Sequence, residues 1–209
     1  MRNPFFSVIL PAHNSAQFIR KTLDSIKMQD WWDYELIVIA DNCTDNTAEI
    51  AREYTDKVYE EHFGRCGLSR NKGLDVATGE WVLWTDDDDW WLHEFAFTTI
   101  ANATQDLKPY QNLLAYGFVW KGMGLAYNMP NHLYPAIWNK AWKRSFIGDD
   151  RFPNVEHSDD AGWAQKMHPK ANVEFLFTPL YYYNYMRPGS TQDKIAKGEI
   201  KSVEEVYRE

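Results

Sequence analysis

Apolar and polar positions follow two distinct periods along the first half of the chain. Runs that are apolar almost throughout, at residues 7–10, 36–40 and 81–84, are separated by stretches in which apolar residues return every three to four positions. Uninterrupted β-branched and aromatic runs suit strands buried on both faces, whereas the wider spacing gives a helix one apolar stripe. Strands alternating with helices predict crossover connections and a largely parallel sheet. Residues 36–40, Leu-Ile-Val-Ile-Ala, carry the clearest strand signal.

Side chains at the ends of these runs set the boundaries. Asn14, three residues before Gln17, predicts a capping box ahead of a helix that carries Phe18, Ile19, Thr22, Leu23 and Ile26 and runs to Lys27. Asn46, three residues before Glu49, opens a second helix with Ala48, Ile50, Ala51 and Tyr54, and a short strand at 57–59 follows. A third helix at 68–76 stops at Thr78-Gly79, where glycine permits a left-handed residue. The second half is less regular. Its pattern predicts a helix at 94–107, a strand at 113–120 closed by a Lys121-Gly122-Met123-Gly124 turn, a helix at 159–167 capped by Ser158, and strands at 173–177 and 181–185. Residues 193–209 read as a peripheral polar tail with a frayed helix. With no repeat, low-complexity stretch or linker, the 209 residues predict one compact α/β domain.

Composition narrows the function classes. A chain of this length holds a core without disulfides or metal, so any bound metal serves chemistry. The 22 Lys and Arg against 30 Asp and Glu give a net charge of −8, and no basic run offsets it. General nucleic-acid or anionic-membrane binding is therefore not expected, although a single nucleotide is compatible. Cys43 and Cys66 match no metal-ligand spacing and read as free thiols in a reducing, cytoplasmic setting. No apolar run approaches the length of a transmembrane span, and the first residues lack a signal-peptide layout. The 16% aromatic content favours core packing over sugar stacking.

Asp86-Asp87-Asp88-Asp89 places four carboxylates where a buried strand ends, the position at which open α/β sheets bind ligands. Neighbouring like charges raise one another's pKa, and a divalent cation such as Mn²⁺ or Mg²⁺, shared with nucleotide phosphates, relieves them. If the extended conformation persists, Asp86 and Asp88 face one side and Asp87 and Asp89 the other. An acidic N-cap of the next helix is the alternative.

The Asp-x-Asp run does not stand alone. Residues 7–14, Ser-Val-Ile-Leu-Pro-Ala-His-Asn, 39–47, Ile-Ala-Asp-Asn-Cys-Thr-Asp-Asn-Thr, Arg70-Asn71-Lys72-Gly73 with Ala77-Thr78-Gly79-Glu80, and 84–90, Trp-Thr-Asp-Asp-Asp-Asp-Trp, resemble successive blocks of the family 2 glycosyltransferases of GT-A fold. Trp138-Asn139-Lys140, Arg151-Phe152-Pro153, Asp159-Asp160 and Pro179-Leu180-Tyr181-Tyr182-Tyr183 are similar to later blocks of bacterial polysaccharide-building members. The resemblance runs through residues 6–191, in order and with matching spacing.

This resemblance implies a Rossmann-like, mostly parallel but mixed sheet flanked by helices. It implies a nucleotide-binding half at 1–92, an acceptor-binding half at 93–192 and the tail at 193–209. The implied activity is inverting transfer of a sugar from a nucleotide-sugar, UDP-linked, to a hydroxyl of a glycan or other acceptor. Carried over by motif, Pro11, His13 and Asn14 lie along the base, Asp41 accepts from its edge, and Arg70, Asp86 and Asp87 stand on the nucleotide side. Asp88 ligates the metal, and Asp160 is the general base. Asp89, Trp90, Trp91, Asp159 and Arg187 are candidate donor or acceptor contacts, with Arg187 on a loop able to close over the diphosphate. His157 and His168 read as solvated or capping histidines, and acceptor binding falls to 113–155 or to a partner chain, which leaves a homo-oligomer open. Departures include His13 in place of Tyr, Ala40 in place of an acid, and Asp159 in place of Glu. The competing expectations are a catalytically silent sugar-nucleotide or glycan-binding module, a transferase acting on a nucleic-acid base, and a sugar-1-phosphate nucleotidyltransferase. The last would need a Gly-rich loop where Pro11-Ala12-His13-Asn14 stands.

Overall fold

The computed structural model describes residues 3–202 and 206. Four strands, β1 (Phe6–Ala12), β2 (Tyr34–Asp41), β3 (Val58–Glu61) and β4 (Trp81–Trp84), pair in parallel in the order β3-β2-β1-β4. Helices α1 (Ile19–Lys27), α2 (Thr47–Arg52) and α3 (Cys66–Val76) make the crossovers. Every residue of β1 and β4 is buried, which is why these segments read as unbroken apolar runs.

Beyond β4 the sheet becomes mixed. The chain adds β5 (Trp90–Trp91), α4 (Ala96–Gln105), β6 (Leu113–Trp120), β7 (Gly124–Ala126), β8 (Lys140–Lys143), α5 (Arg144–Ile147), α6 (Asp159–Met167), β9 (Val173–Tyr183) and α7 (Thr191–Ala196). Strand β8 inserts antiparallel between β4 and β6, and β9 lies between β6 and β5, completing the order β3-β2-β1-β4-β8-β6-β9-β5 with β7 on β6. Among the described residues no helix is long and apolar enough to cross a membrane. Both cysteines are free.

Several boundaries differ from expectation, each for a local reason. Asn14 does not cap α1: it adopts a left-handed φ of 46°, and its Oδ1 accepts from the Thr44 N–H at 2.7 Å. The α2 N-terminus is served by Asp45, whose Oδ1 accepts the Thr47 N–H at 3.1 Å, rather than by the Asn46 side chain. Ser158 precedes α6 at φ 61° without a side-chain cap, and its hydroxyl lies 2.9 Å from His157 Nδ1. Gly79 is required by crowding and not by a left-handed stop. A Cβ there would lie 2.5 Å from Ser7 N and 2.6 Å from the Phe6 carbonyl carbon. The two late strands are one, because a register shift opposite Gly117 lets Pro179 sit at a bulge. Strands β5, β7 and β8 span two to four residues, too few for a period to register.

Glu35 fastens the start of the sheet. Its buried carboxylate accepts from the Ser7 hydroxyl at 2.6 Å and the Thr78 and Gly79 amides at 2.6 and 3.1 Å. This ties β1, β2 and the entry to β4 at one end, leaving their carboxyl ends to build the site.

Candidate active site

A cleft of about 660 Å³ opens at the carboxyl ends of β1, β2 and β4. Pro11 near the end of β1 and His13 and Asn14 just after it line the cleft, Asp41 ends β2 on its wall, and Asp86, Asp87 and Asp88 line it after β4. The chain bends immediately after β4, where the Asp89 N–H donates to the Asp86 carbonyl at 3.2 Å. A bend, unlike an extended strand, turns three successive carboxylates to one side, which corrects the expected alternation. Asp89 alone turns inward. It is fully buried, and its Oδ1 accepts the Asn184 N–H at 2.8 Å.

Trp90 and Trp91 also leave the list of ligand contacts. Trp90 stacks on Tyr182 at 3.9 Å with Lys21 Nζ 3.0 Å from its ring centroid, and Trp91 is a core residue packed on Phe97 and Tyr181. Neither residue lines the cleft.

Asp41 is saturated. One oxygen accepts the Phe63 and Gly64 amides at 2.7 and 3.1 Å, and the other the Arg65 amide and Ser69 hydroxyl at 3.3 and 2.9 Å. A carboxylate has about four lone-pair sites. Asp41 therefore orders the loop before α3 and offers no free edge to a base. His13 Nδ1 lies 2.7 Å from the Asp41 carbonyl oxygen, an acceptor only, so the proton is on Nδ1, and Nε2 faces the Asn14 amide at 3.3 Å.

Arg70 joins the two halves of the cleft. Its guanidinium, on the face of α3, donates to Asp86 at 3.0 Å and to Asp159 at the start of α6. Gly67 makes that approach possible, since a Cβ there would lie 2.7 Å from the Pro153 carbonyl oxygen and 3.0 Å from Asp159 Cβ. Asp160 lines the same cleft. Burial pushes its pKa up to about 6 against the pull of Arg70, with Asp159 and Asp86 adding to the rise. Burial, then the charge of Asp88, pushes Asp87 up to about 7, opposed by the His13 N–H. Asp86 is raised by burial against the pull of Arg70.

The segment after β9 closes one side. Arg187 pairs with Asp88 and lies 4.4 Å from the Phe18 ring centroid, and Asn184, Gly189, Thr191 and Lys194 line the cleft. The start of the expected peripheral tail is thus part of the cleft wall, while 203–205 and 207–209 lie outside the described residues. From 113–155 the cleft takes only Trp138. His157, read as solvated, is buried in the cleft wall, and His168 packs on Trp142 with its pKa pushed down to about 3 by burial and by Lys140. Sequence reasoning missed Ser69, Trp138, Tyr183, Asn184 and Lys194 as cleft residues. Only Trp138 and Tyr183 had a signal, as members of motif blocks.

Among the described residues no three His, Cys, Asp or Glu side chains converge as a metal cluster. The donor set nevertheless fits a nucleotide-borne Mg²⁺ or Mn²⁺, which takes one or two carboxylates and fills its remaining positions with phosphate and water oxygens. Asp88, held at present by a guanidinium, is the carboxylate placed for it, with Asp86 and Asp87 beside it on the cleft wall.

Residues 7–167 match the family model described as Glycosyl transferase family 2. The chain belongs to this family. The uncharacterized glycosyltransferase YibD of Escherichia coli is 40% identical over 83% of this chain and 57% of its own length. Staphylococcus aureus TarS in complex with UDP-GlcNAc superposes with a TM-score of 0.78 at 25% identity, over 90% of this chain and 60% of that one. A Pyrobaculum calidifontis mannosyltransferase solved with GDP-Man and Mn²⁺ shares the fold, with a TM-score of 0.69 at 23% identity over 95% of this chain and 62% of that one. The family 2 chain thus spans less than two thirds of the length of each relative. Its mixed sheet is the GT-A fold of this enzyme class.

Proposed function

We propose that this family 2 domain is an inverting glycosyltransferase that moves a sugar from a UDP-sugar to a hydroxyl of a glycan acceptor. The observation that carries this reading is that Asp160 lines the same cleft as Asp86, Asp87 and Asp88, with Arg70 bonded to both sides. The TarS complex with UDP-GlcNAc supports UDP as the donor nucleotide.

The half through residue 92 takes the nucleotide, and 93–192 takes the acceptor. Pro11, His13 and Asn14 flank the base, whose edge contacts do not include the saturated Asp41. Asp86 and Asp87 face the ribose and donor sugar. A divalent cation held by Asp88 would supply Lewis acidity to the departing diphosphate. Arg187 and Lys194 add positive charge on the side where that diphosphate leaves. Asp160 accepts the acceptor hydroxyl's proton as that oxygen bonds the anomeric carbon. The bond from that carbon to the phosphate oxygen breaks with its electron pair going to the diphosphate, and one displacement inverts the configuration. A base with a pKa near 6 is ionised at neutral pH and still basic enough to take a proton.

The test is Asp160→Asn. The expected result is loss of UDP-GlcNAc turnover with UDP binding preserved in calorimetry. Undiminished turnover removes Asp160 from the base role, and loss of UDP binding as well makes it a donor ligand.

A further inference from the structure

The strap at 184–190, between β9 and α7, is bonded to the acidic bend of the first half. At one end Asn184 donates its N–H to Asp89 Oδ1 at 2.8 Å and its Nδ2 to the Asp88 carbonyl at 3.3 Å, while its Oδ1 accepts from Lys121 Nζ at 2.9 Å. At the other end Asp193 Oδ2 accepts the Gly189 N–H and the Lys197 ammonium, each at 2.7 Å. Between these anchors Met186 adopts a left-handed φ of 56° and Gly189 one of 81°. A methionine in that region persists only where its surroundings impose it. The next residue, Arg187, carries the strap back to the first half.

Arg187 Nε donates to Asp88 Oδ2, with the two side chains 21% and 14% exposed, and its guanidinium lies 4.4 Å from the Phe18 ring centroid. A pair this far withdrawn from solvent escapes most of the screening that weakens surface pairs. Asp88 therefore meets two demands. It is bonded to a guanidinium, and it is the carboxylate placed for a divalent cation. Either positive group satisfies a carboxylate. Both together would set like charges on the two oxygens of one carboxyl group, a few ångströms apart in a partly desolvated cleft. Cation and guanidinium are thus alternatives, and the Phe18 ring gives a displaced Arg187 a second contact on the cleft wall.

We propose that Arg187 is the internal counter-ion of Asp88: a divalent cation and the guanidinium exchange on this carboxylate, so that cation entry unties the 184–190 strap from the acidic bend. This rests on Asp88 being the metal carboxylate of the reading above. A cation alone must displace the pair, which lowers its apparent affinity by the fraction of molecules in which the pair is broken. A diphosphate arriving with the cation offers the displaced guanidinium a new partner. The strap thereby favours a cation and nucleotide together over a cation alone.

The experiment titrates Mn²⁺ alone into the full chain, Arg187→Gln and Lys194→Gln, reading free Mn²⁺ by electron paramagnetic resonance. Both variants remove one positive charge from the cleft wall, and Arg187→Gln also removes the partner of Asp88. The expected result is Mn²⁺ binding about threefold tighter or more in Arg187→Gln, as for a pair intact in most molecules, and a clearly smaller gain in Lys194→Gln. Unchanged or weaker binding in a folded Arg187→Gln, or an equal gain in Lys194→Gln, overturns the proposal. Hydrogen exchange supplies a second readout without metal or nucleotide: amides of 186–190 should exchange faster in Asp88→Asn than in the parent, and unchanged exchange overturns the proposal equally. If Mn²⁺ binds neither parent nor variant even with UDP present, the metal reading of the cleft fails and takes this proposal with it. If Mn²⁺ binds parent and Arg187→Gln alike, the exchange at Asp88 alone fails.

Discussion

Arg70 concentrates more of the site in one side chain than any other residue. It is buried, bonds Asp86 and Asp159, and opposes the rise in the pKa of Asp160. Removing one partner of a buried ion pair leaves an uncompensated charge and costs about 3–5 kcal/mol. Arg70→Met is expected to lose about that much stability at pH 8 in denaturant unfolding, and less at pH 5, where the stranded carboxylates take up protons. For Asp160 the sign of the linkage follows from its raised pKa. An unfolded aspartate ionises near 3.9 and the folded Asp160 near 6, so the fold binds the extra proton across that window. Its contribution to stability is complete below the unfolded value and is lost as pH rises through about 6. The slope of unfolding free energy against pH between 4 and 6.5 should be shallower in Asp160→Asn. In the active parent, kcat/KM should fall on the acid side of about 6. The motif blocks brought Arg70 and Asp160 forward from sequence, but the saturation of Asp41 and the inward turn of Asp89 depend on the local path of the backbone. Four consecutive aspartates carry no mark of which one the bend will bury.

Elements were legible in proportion to their length and burial. Strands β1, β2 and β4 announced themselves because both faces are covered and no polar residue was needed to mark an outside. Strand β8 gave no such signal, since four residues held antiparallel between β4 and β6 owe their place to neighbours distant in sequence. Gly79 was found for the wrong reason, as a helix stop, whereas the structure needs it because the backbone of β1 passes within contact distance. Gly79→Ala forces Ser7 and Phe6 to move and strains the Glu35 bonds to Ser7, Thr78 and Gly79. The expected cost is about 1–3 kcal/mol in urea unfolding, of the size found for overpacking. A cost well below about 1 kcal/mol would show that the strand end yields easily.

At the scale of the molecule, one cleft with acids on both sides and cations along one rim is a device for a ligand that brings its own negative charge and a counter-ion. UDP with Mn²⁺ should therefore stabilise the whole domain, by about 2.7 kcal/mol at a ligand concentration a hundredfold above Kd, and chelation should remove most of that gain. Equal thermal shifts with and without chelator would take the metal out of donor binding. Strand β9 gives this arrangement a consequence in time. Its Tyr181 hydroxyl accepts the Asp86 N–H at 3.1 Å, and Asn184 just beyond it holds Asp89, so the acidic bend of the first half is braced by residues translated about a hundred positions later. A nascent chain can assemble β1 to β4 while still on the ribosome, but its acidic bend stays unbraced until β9 has emerged. Synthesis itself thereby delays the completion of the acidic bend until most of the domain exists.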